Sequence, residues 1–206
     1  MRTLVIDSAT AACSAALFKD GECIAARCEL IGRGHAERLV PMIGELGPLD
    51  GIDRIMTDIG PGSFTGVRIG VSVARALGFA LGAQCQGFSA APLMAAMAFA
   101  DHDRIDELTV VAIGGHGEYF LQPFARPLRP LGPLVSMPFD DAARGATSKF
   151  IAGDAAEDFV ARRRGGEAIA LTPDAARWPL IAEMAPLPPA PLYVREPDAR
   201  LPEMRR

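Results

Sequence analysis

The sequence lacks the features that announce most enzymes and most nucleic-acid binders. It has no basic surplus: 21 Lys and Arg stand against 25 Asp and Glu, for a net charge of −4. A chain that grips nucleic acid by itself usually carries an excess of positive charge, so contact with RNA is expected only in company with a partner. The three histidines, His35, His102 and His116, lie far apart and form no His-x-x-x-His pair to chelate a metal. The four cysteines, Cys13, Cys23, Cys28 and Cys85, show no Cys-x-x-Cys spacing; reduced thiols of a cytoplasmic protein are the expectation. No apolar run reaches the roughly 18 residues of a membrane span. Asp7 interrupts the opening run Leu4-Val5-Ile6, so no signal peptide is expected.

Glycine, by contrast, is plentiful and patterned. The stretch Gly60-Pro61-Gly62-Ser63-Phe64-Thr65-Gly66-Val67-Arg68-Ile69-Gly70 runs a glycine turn into a helix. That helix carries a small residue at every fourth position: Gly66, Gly70, Ala74, Gly78 and Gly82. Residues four apart share a helix face, and each helical glycine costs about 1 kcal/mol relative to alanine, so the repetition needs a reason. One reason is a phosphate held by the turn. A Walker loop, however, ends in Gly-Lys-Ser/Thr, where this chain has Gly66-Val67-Arg68, and a dinucleotide fingerprint needs Gly-x-Gly-x-x-Gly, where this spacing is one residue longer. The turn Gly60, Gly62, Gly66, Gly70 is therefore assigned a structural task, aiming the helix. A Gly-x-Ser-x-Gly nucleophile elbow would need glycine where Thr65 stands. Another reason is a smooth face that admits a second helix at close range, against the alternative that the face packs on its own sheet.

At 206 residues, half of them hydrophobic and 22% charged, the chain suits one large or two small domains. Apolar periodicity predicts strands over 2–9, 14–18 and 23–29, with an Asp20-Gly21 hairpin turn. A helix follows over 35–46, a strand over 54–59, the glycine helix to about 82, a strand over 84–87, and a helix to 100 capped by Ser89. Asp101-His102-Asp103-Arg104 is a polar break. Beyond it come strands over 108–113, 118–124 and near 131–136, a helix over 139–144, a strand over 149–152, a helix over 154–163, a strand over 167–171 and a helix over 174–184. The tail 185–206 is proline-rich and irregular. Both halves read strand, strand, strand, helix, strand, helix, strand, helix. A duplicated βββαβαβα unit is the organisation of the actin-like (ASKHA, ribonuclease H-like) α/β fold, with lobes at 1–103 and 104–206.

That fold hosts kinases and ATPases, in which an aspartate after the first strand serves metal and phosphate. Asp7 stands there, but the following Ser8-Ala9-Thr10-Ala11-Ala12 has no glycine. The matching turn of the second half, Ile113-Gly114-Gly115-His116-Gly117, offers no carboxylate. A lone aspartate makes a poor magnesium–phosphate clamp. No catalytic residue, metal ligand or cofactor-binding residue is assigned. The helix faces remain. Arg38, Leu39 and Met42 on the first helix, with Val71 and Arg75 on the glycine helix, are the candidate contacts to a partner protein.

Ile6-Asp7-Ser8-Ala9-Thr10, the run His35 to Met42 and above all Gly60 to Gly70 resemble the TsaB (YeaZ) family of tRNA threonylcarbamoyladenosine biosynthesis proteins. Pro191-Leu192-Tyr193-Val194-Arg195 resembles the closing Pro-x-Tyr-Leu-Arg of that family. The resemblance covers most of the first hundred residues. It implies the actin-like fold and a non-catalytic scaffold or activator role in threonylcarbamoylation of the adenosine 3′ of the anticodon in ANN-reading tRNAs. It implies docking to a TsaD-type subunit that carries the metal and threonylcarbamoyl-AMP, a TsaE-type ATPase as further partner, and a homodimer when the partner is absent. ATP or ADP and metal would then sit on partner subunits, with no cofactor intrinsic to this chain, and tRNA would be met only through the complex. Two departures stand out: Gly114-Gly115-His116 replaces a common Asp-Ala-Arg run, and the second half is short. The competing readings are a metallopeptidase of glycoprotease type and a small-molecule kinase or ATPase of the same fold.

Overall fold

Leu4, Val5 and Ile6 are fully buried because they form the central strand of a sheet covered on both faces. The computed structural model of the chain describes residues 1–194. β1 (Arg2–Asp7), β2 (Ala12–Lys19) and β3 (Glu22–Leu30) form an antiparallel meander. Its second turn has positive φ at both Asp20 (51°) and Gly21 (88°), the backbone that an Asp-Gly hairpin supplies. Then follow α1 (His35–Gly44), β4 (Arg54–Asp58), α2 (Phe64–Leu81), β5 (Gln84–Phe88) and α3 (Ala90–Asp101). The strand order is β3-β2-β1-β4-β5, with β4 parallel to β1 and β5.

The second half repeats the plan. β6 (Glu107–Ile113), β7 (Glu118–Ala125), β8 (Arg129–Pro130) and β9 (Val135–Pro138) precede α4 (Phe139–Gly145), β10 (Phe150–Gly153), α5 (Ala156–Arg163) and β11 (Glu167–Ala170). The order is β11-β10-β6-β7-β8, with β9 also paired to β7 and β10 parallel to both β6 and β11. Two predicted elements differ. The third strand of this half is split into β8 and β9. The final predicted helix is a 3₁₀ helix over Ala175–Ile181, capped by Asp174, whose carboxylate accepts from Ala176 N–H at 2.9 Å. Pro179 inside it supplies no amide for an α-helical ladder. This 3₁₀ helix crosses back to the first lobe, where Trp178 meets Phe18 edge-on (5.9 Å between ring centroids) under the Arg54 guanidinium.

α3 has no polar face because it is packed on all sides. Ala90, Met94, Ala98 and Phe99 join the core of the second sheet with Leu108 and Val110, while Leu93 and Met97 join Val5, Met56 and Trp178 of the first. Beyond the 3₁₀ helix the chain pairs Leu187 with Gly87 at the edge of β5 and returns Leu192 N–H to the Ile59 carbonyl (2.8 Å). The predicted tail from Arg195 to Arg206 lies outside the described residues.

Candidate functional site

The glycine turn is held from within. Asp58 Oδ1 accepts Gly60 N–H at 2.7 Å, and Gly60 takes φ 104° before a cis peptide to Pro61. Ser63 N–H donates to the Ala9 carbonyl at 2.6 Å. The Ser63 hydroxyl accepts Gly66 N–H at 3.2 Å as the α2 N-cap, and the Ser63 carbonyl accepts Val67 N–H. Ser89 occupies the N-cap position of α3 as predicted, but its hydroxyl makes no capping bond and donates to the Gly60 carbonyl at 2.8 Å. The amides of Gly60, Ser63, Gly66 and Val67 are thus committed to the chain itself.

The small-residue stripe points inward. A Cβ at Gly62 would lie 2.1 Å from the Ala9 carbonyl oxygen, one at Gly66 2.1 Å from that of Ser8, and one at Gly70 2.7 Å from the Ser8 hydroxyl. Ser8 in turn donates to the Gly66 carbonyl at 2.9 Å. Gly78 meets Cys85 of β5, and Gly82 closes the helix with φ 66°. The expectation that this smooth face admits a partner helix is therefore corrected: it seats α2 on the β1–β2 turn and on its own sheet.

Three predicted contact residues turn inward with it. Leu39 and Met42 are fully buried in the first-lobe core, and Val71 is 4% exposed against Ala9, Ile59 and Val67. They cannot touch a partner while the fold is intact. Arg38 is half-buried and engaged within the chain, bridging Glu29 of β3 and Glu45 at the end of α1. Arg75 is exposed. What α1 and α2 present instead is a second apolar surface. On α2, Phe64 (61% exposed), Arg68, Ser72, Arg75 and Phe79 (93%) follow one another at helical spacing, flanked by the partly buried Ile69 and Val73. On α1, Ala36 and Val40 (56% exposed) lie one turn apart. Ala36, Phe64, Arg68, Ile69, Ser72 and Val73 line a shallow groove where the helices meet. Arg68 lies over the Phe64 ring (3.6 Å) and donates to the Tyr193 hydroxyl at 2.9 Å, so the tail reaches the rim of this face. By length and composition α2 is apolar enough to cross a membrane, yet only 33% of it is buried. Its apolarity is divided between an inner face on the sheet and an outer face that the described residues leave largely open.

A cavity of about 1220 Å³ separates the lobes, bounded by the β1–β2 turn, the starts of α1 and α2, the turn after β6, and Leu192 and Tyr193. His35 anchors the start of α1, its Nε2 lying 3.1 Å from the Ala12 carbonyl. The second lobe does supply a carboxylate, contrary to the sequence reading. Asp154, just after β10, lines the cavity and accepts Ile113 N–H at 3.1 Å, and burial pushes its carboxyl up to about 6. It lies 41 residues beyond the turn it serves, so the turn alone could not disclose it. Asp7 does not line the cavity; it is buried beside Asp58. Among the described residues no three His, Cys, Asp or Glu side chains are grouped to hold a metal ion.

Two sheets of this order, each an antiparallel meander continued by parallel β-α-β steps and facing a common cleft, define the two-lobed actin-like class. Residues 28–150 match the family described as "TsaD: tRNA N6-adenosine threonylcarbamoyltransferase". Over 101 residues the chain is 45% identical to the tRNA threonylcarbamoyladenosine biosynthesis protein TsaB of Escherichia coli, covering 46% of this chain and 42% of that protein. It is 35% identical over 124 residues to TsaB of Haemophilus influenzae, covering 58% of this chain and 52% of that one. These matches thus span about half the length of the curated relatives. The solved structure of YeaZ from Pseudomonas aeruginosa is similar across 93% of this chain and 99% of its own, with a TM-score of 0.79 at 26% identity. The chain belongs to the TsaB/YeaZ family.

Proposed function

We propose that this chain is a non-catalytic scaffold subunit in tRNA threonylcarbamoylation, acting on the adenosine 3′ of the anticodon in ANN-reading tRNAs. It docks a TsaD-type transferase subunit through the outer face of α1 and α2, in the cytoplasm. ATP or ADP and metal belong to the partner subunits in this reading, a TsaE-type ATPase joins the complex, and tRNA is met only through it. Without the partner, two copies of the chain cover the same face.

The observation that carries this reading is the apolar stripe that stands open among the described residues. Phe79, Phe64 and Val40 stand 93%, 61% and 56% exposed on the outer sides of two adjacent helices, large apolar side chains turned to solvent along one helix pair. A protein suits the stripe better than a membrane. α2 is fixed to its sheet through Gly66 and Gly70, and Arg68 and Arg75 interrupt the stripe as the charged rim of a protein contact does. Family membership supplies the chemistry of the partner.

The test is to mix the purified chain with a TsaD-type protein and measure association and threonylcarbamoyl transfer. Val40→Glu and Phe79→Glu should abolish association and transfer while leaving the melting temperature of the isolated chain within about 2 °C. Undiminished association of both variants would refute the assignment of the face. Transfer that proceeds equally well without this chain would refute the scaffold role.

A further inference from the structure

Two carboxyl groups lie where solvent does not reach them. Asp7 ends β1 and Asp58 ends β4; Ile6 pairs with Thr57 in the parallel register, so the two acids occupy neighbouring strand ends. Asp7 is 0% and Asp58 1% exposed. One oxygen of each is committed: Asp7 Oδ1 accepts Ala9 N–H at 2.8 Å, and Asp58 Oδ1 accepts Gly60 N–H at 2.7 Å. The Oδ2 atoms of both are buried and have no hydrogen-bond partner among the described residues. One step beyond Ile6 and Thr57, the parallel register sets Asp7 beside Asp58 with both side chains on the same face of the sheet.

Among the described residues no cation relieves the pair. The 3₁₀ helix faces Asp7 with another acid, Asp174; β2 and β3 contribute the Cys13 and Cys28 thiols. On the Asp58 side the start of α3 offers only the Ala90 amide. Two ionised carboxylates cannot share such a site, whereas one proton between them satisfies both free oxygens.

We propose that Asp7 and Asp58 share a proton, and that this carboxyl–carboxylate bond is a pH-sensitive lock on the two turns that seat α2. The lock spans both walls of the seat. Asp7 fixes the turn whose Ser8 and Ala9 carbonyls face the Gly66 and Gly62 α-carbons, and Asp58 fixes the Gly60-Pro61 turn that leads into α2. Loss of the proton places two like charges between these turns and drives them apart. The stability consequence stands by itself; any consequence for partner docking rests on the reading above.

The sign follows from linkage. In the unfolded chain both carboxyls ionise near the ordinary 3.8. In the folded chain burial and the neighbouring acid hold Asp7 well above that value, and burial pushes Asp58 up to about 7. The native state therefore holds more protons, so stability is greatest in acid and is lost as pH rises through the folded values. Asp154 adds a slope of the same sign only up to about pH 6, and the slope from Asp58 fades above about pH 7, so the lock is read between pH 6 and 7. There the unfolding equilibrium constant should rise by up to about tenfold, lowering the melting temperature by about 4 °C. Asp58→Asn, whose amide can donate to Asp7 without a titrating proton, should flatten this dependence, and Asp7→Asn serves if that variant fails to fold. In the unaltered chain, ¹³C NMR should show one aspartate carboxyl still protonated at pH 6.5. Parallel slopes in variant and parent, or both carboxyls ionised below pH 5, would overturn the proposal. So would a stability independent of pH that rises on adding magnesium, which would put a cation in place of the proton.

Discussion

The two faces of α2 carry opposite solutions to apolar contact. The inner face is built from the smallest residues, Gly66, Gly70, Ala74 and Gly78, because it touches backbone: the Ser8 carbonyl and the start of β5. The outer face carries the large residues Phe64 and Phe79 with arginines between them, and among the described residues it meets only the Tyr193 rim. Small residues mark where a helix has already arrived, and large exposed ones mark where something has yet to arrive. α1 follows the same division, with Leu39 and Met42 inside and Val40 outside.

The largest effects should come from the inner face. Gly66→Ala forces a methyl to 2.1 Å from a backbone carbonyl that cannot swing away. It should cost about 4 kcal/mol or more, seen as a fall of about 10 °C in melting temperature; a normal melting point would break the comparison at its root. Leu39→Ala, a truncation in the closed first-lobe core, should cost about 3 kcal/mol by chemical denaturation, against less than about 0.5 kcal/mol for Val40→Ala on the opposite side. On the outer face the readout moves from stability to binding. Phe79→Ala should weaken partner affinity about thirtyfold by calorimetry, the scale of an interface hot spot. Smallest is Tyr193→Phe, which removes the hydroxyl acceptor of Arg68 at an exposed site. It should change stability by less than about 0.5 kcal/mol, and a larger loss would mean that the tail braces α2 rather than decorating it.

Much of the fold was legible in local pattern. The run Leu4-Val5-Ile6, the Asp20-Gly21 turn and the apolar spacing of α1 each reflect contacts within a few residues or a periodicity that only one element type satisfies. Ser63 was readable as part of a turn but not as the cap it forms. The direction of the glycine stripe was not legible, because helical spacing says which residues share a face and not what that face meets. The answer lay at Ser8 and Ala9, at the far end of a contact such as Ser8 to Gly66, 58 residues apart in sequence. Leu39, Met42 and Val71 were misplaced for the same reason, as apolar residues on a helix with two apolar sides. Asp58 and Asp154 escaped because each acquires meaning only through a strand neighbour remote in sequence. Pro179 is a local signal against an α-helix over 174–184, and the sequence reading made no use of it.

The placement of α3 has a consequence for cooperativity. One side of this helix belongs to the core of the first sheet through Leu93 and Met97, and another to the core of the second through Met94, Ala98 and Phe99. Melting either lobe strips apolar cover from the other, so the two sheets should unfold in a single calorimetric transition. A chain cut at the polar break after Asp101 would leave the second sheet without its lining, and that fragment should stay unfolded until the piece bearing α3 is added back.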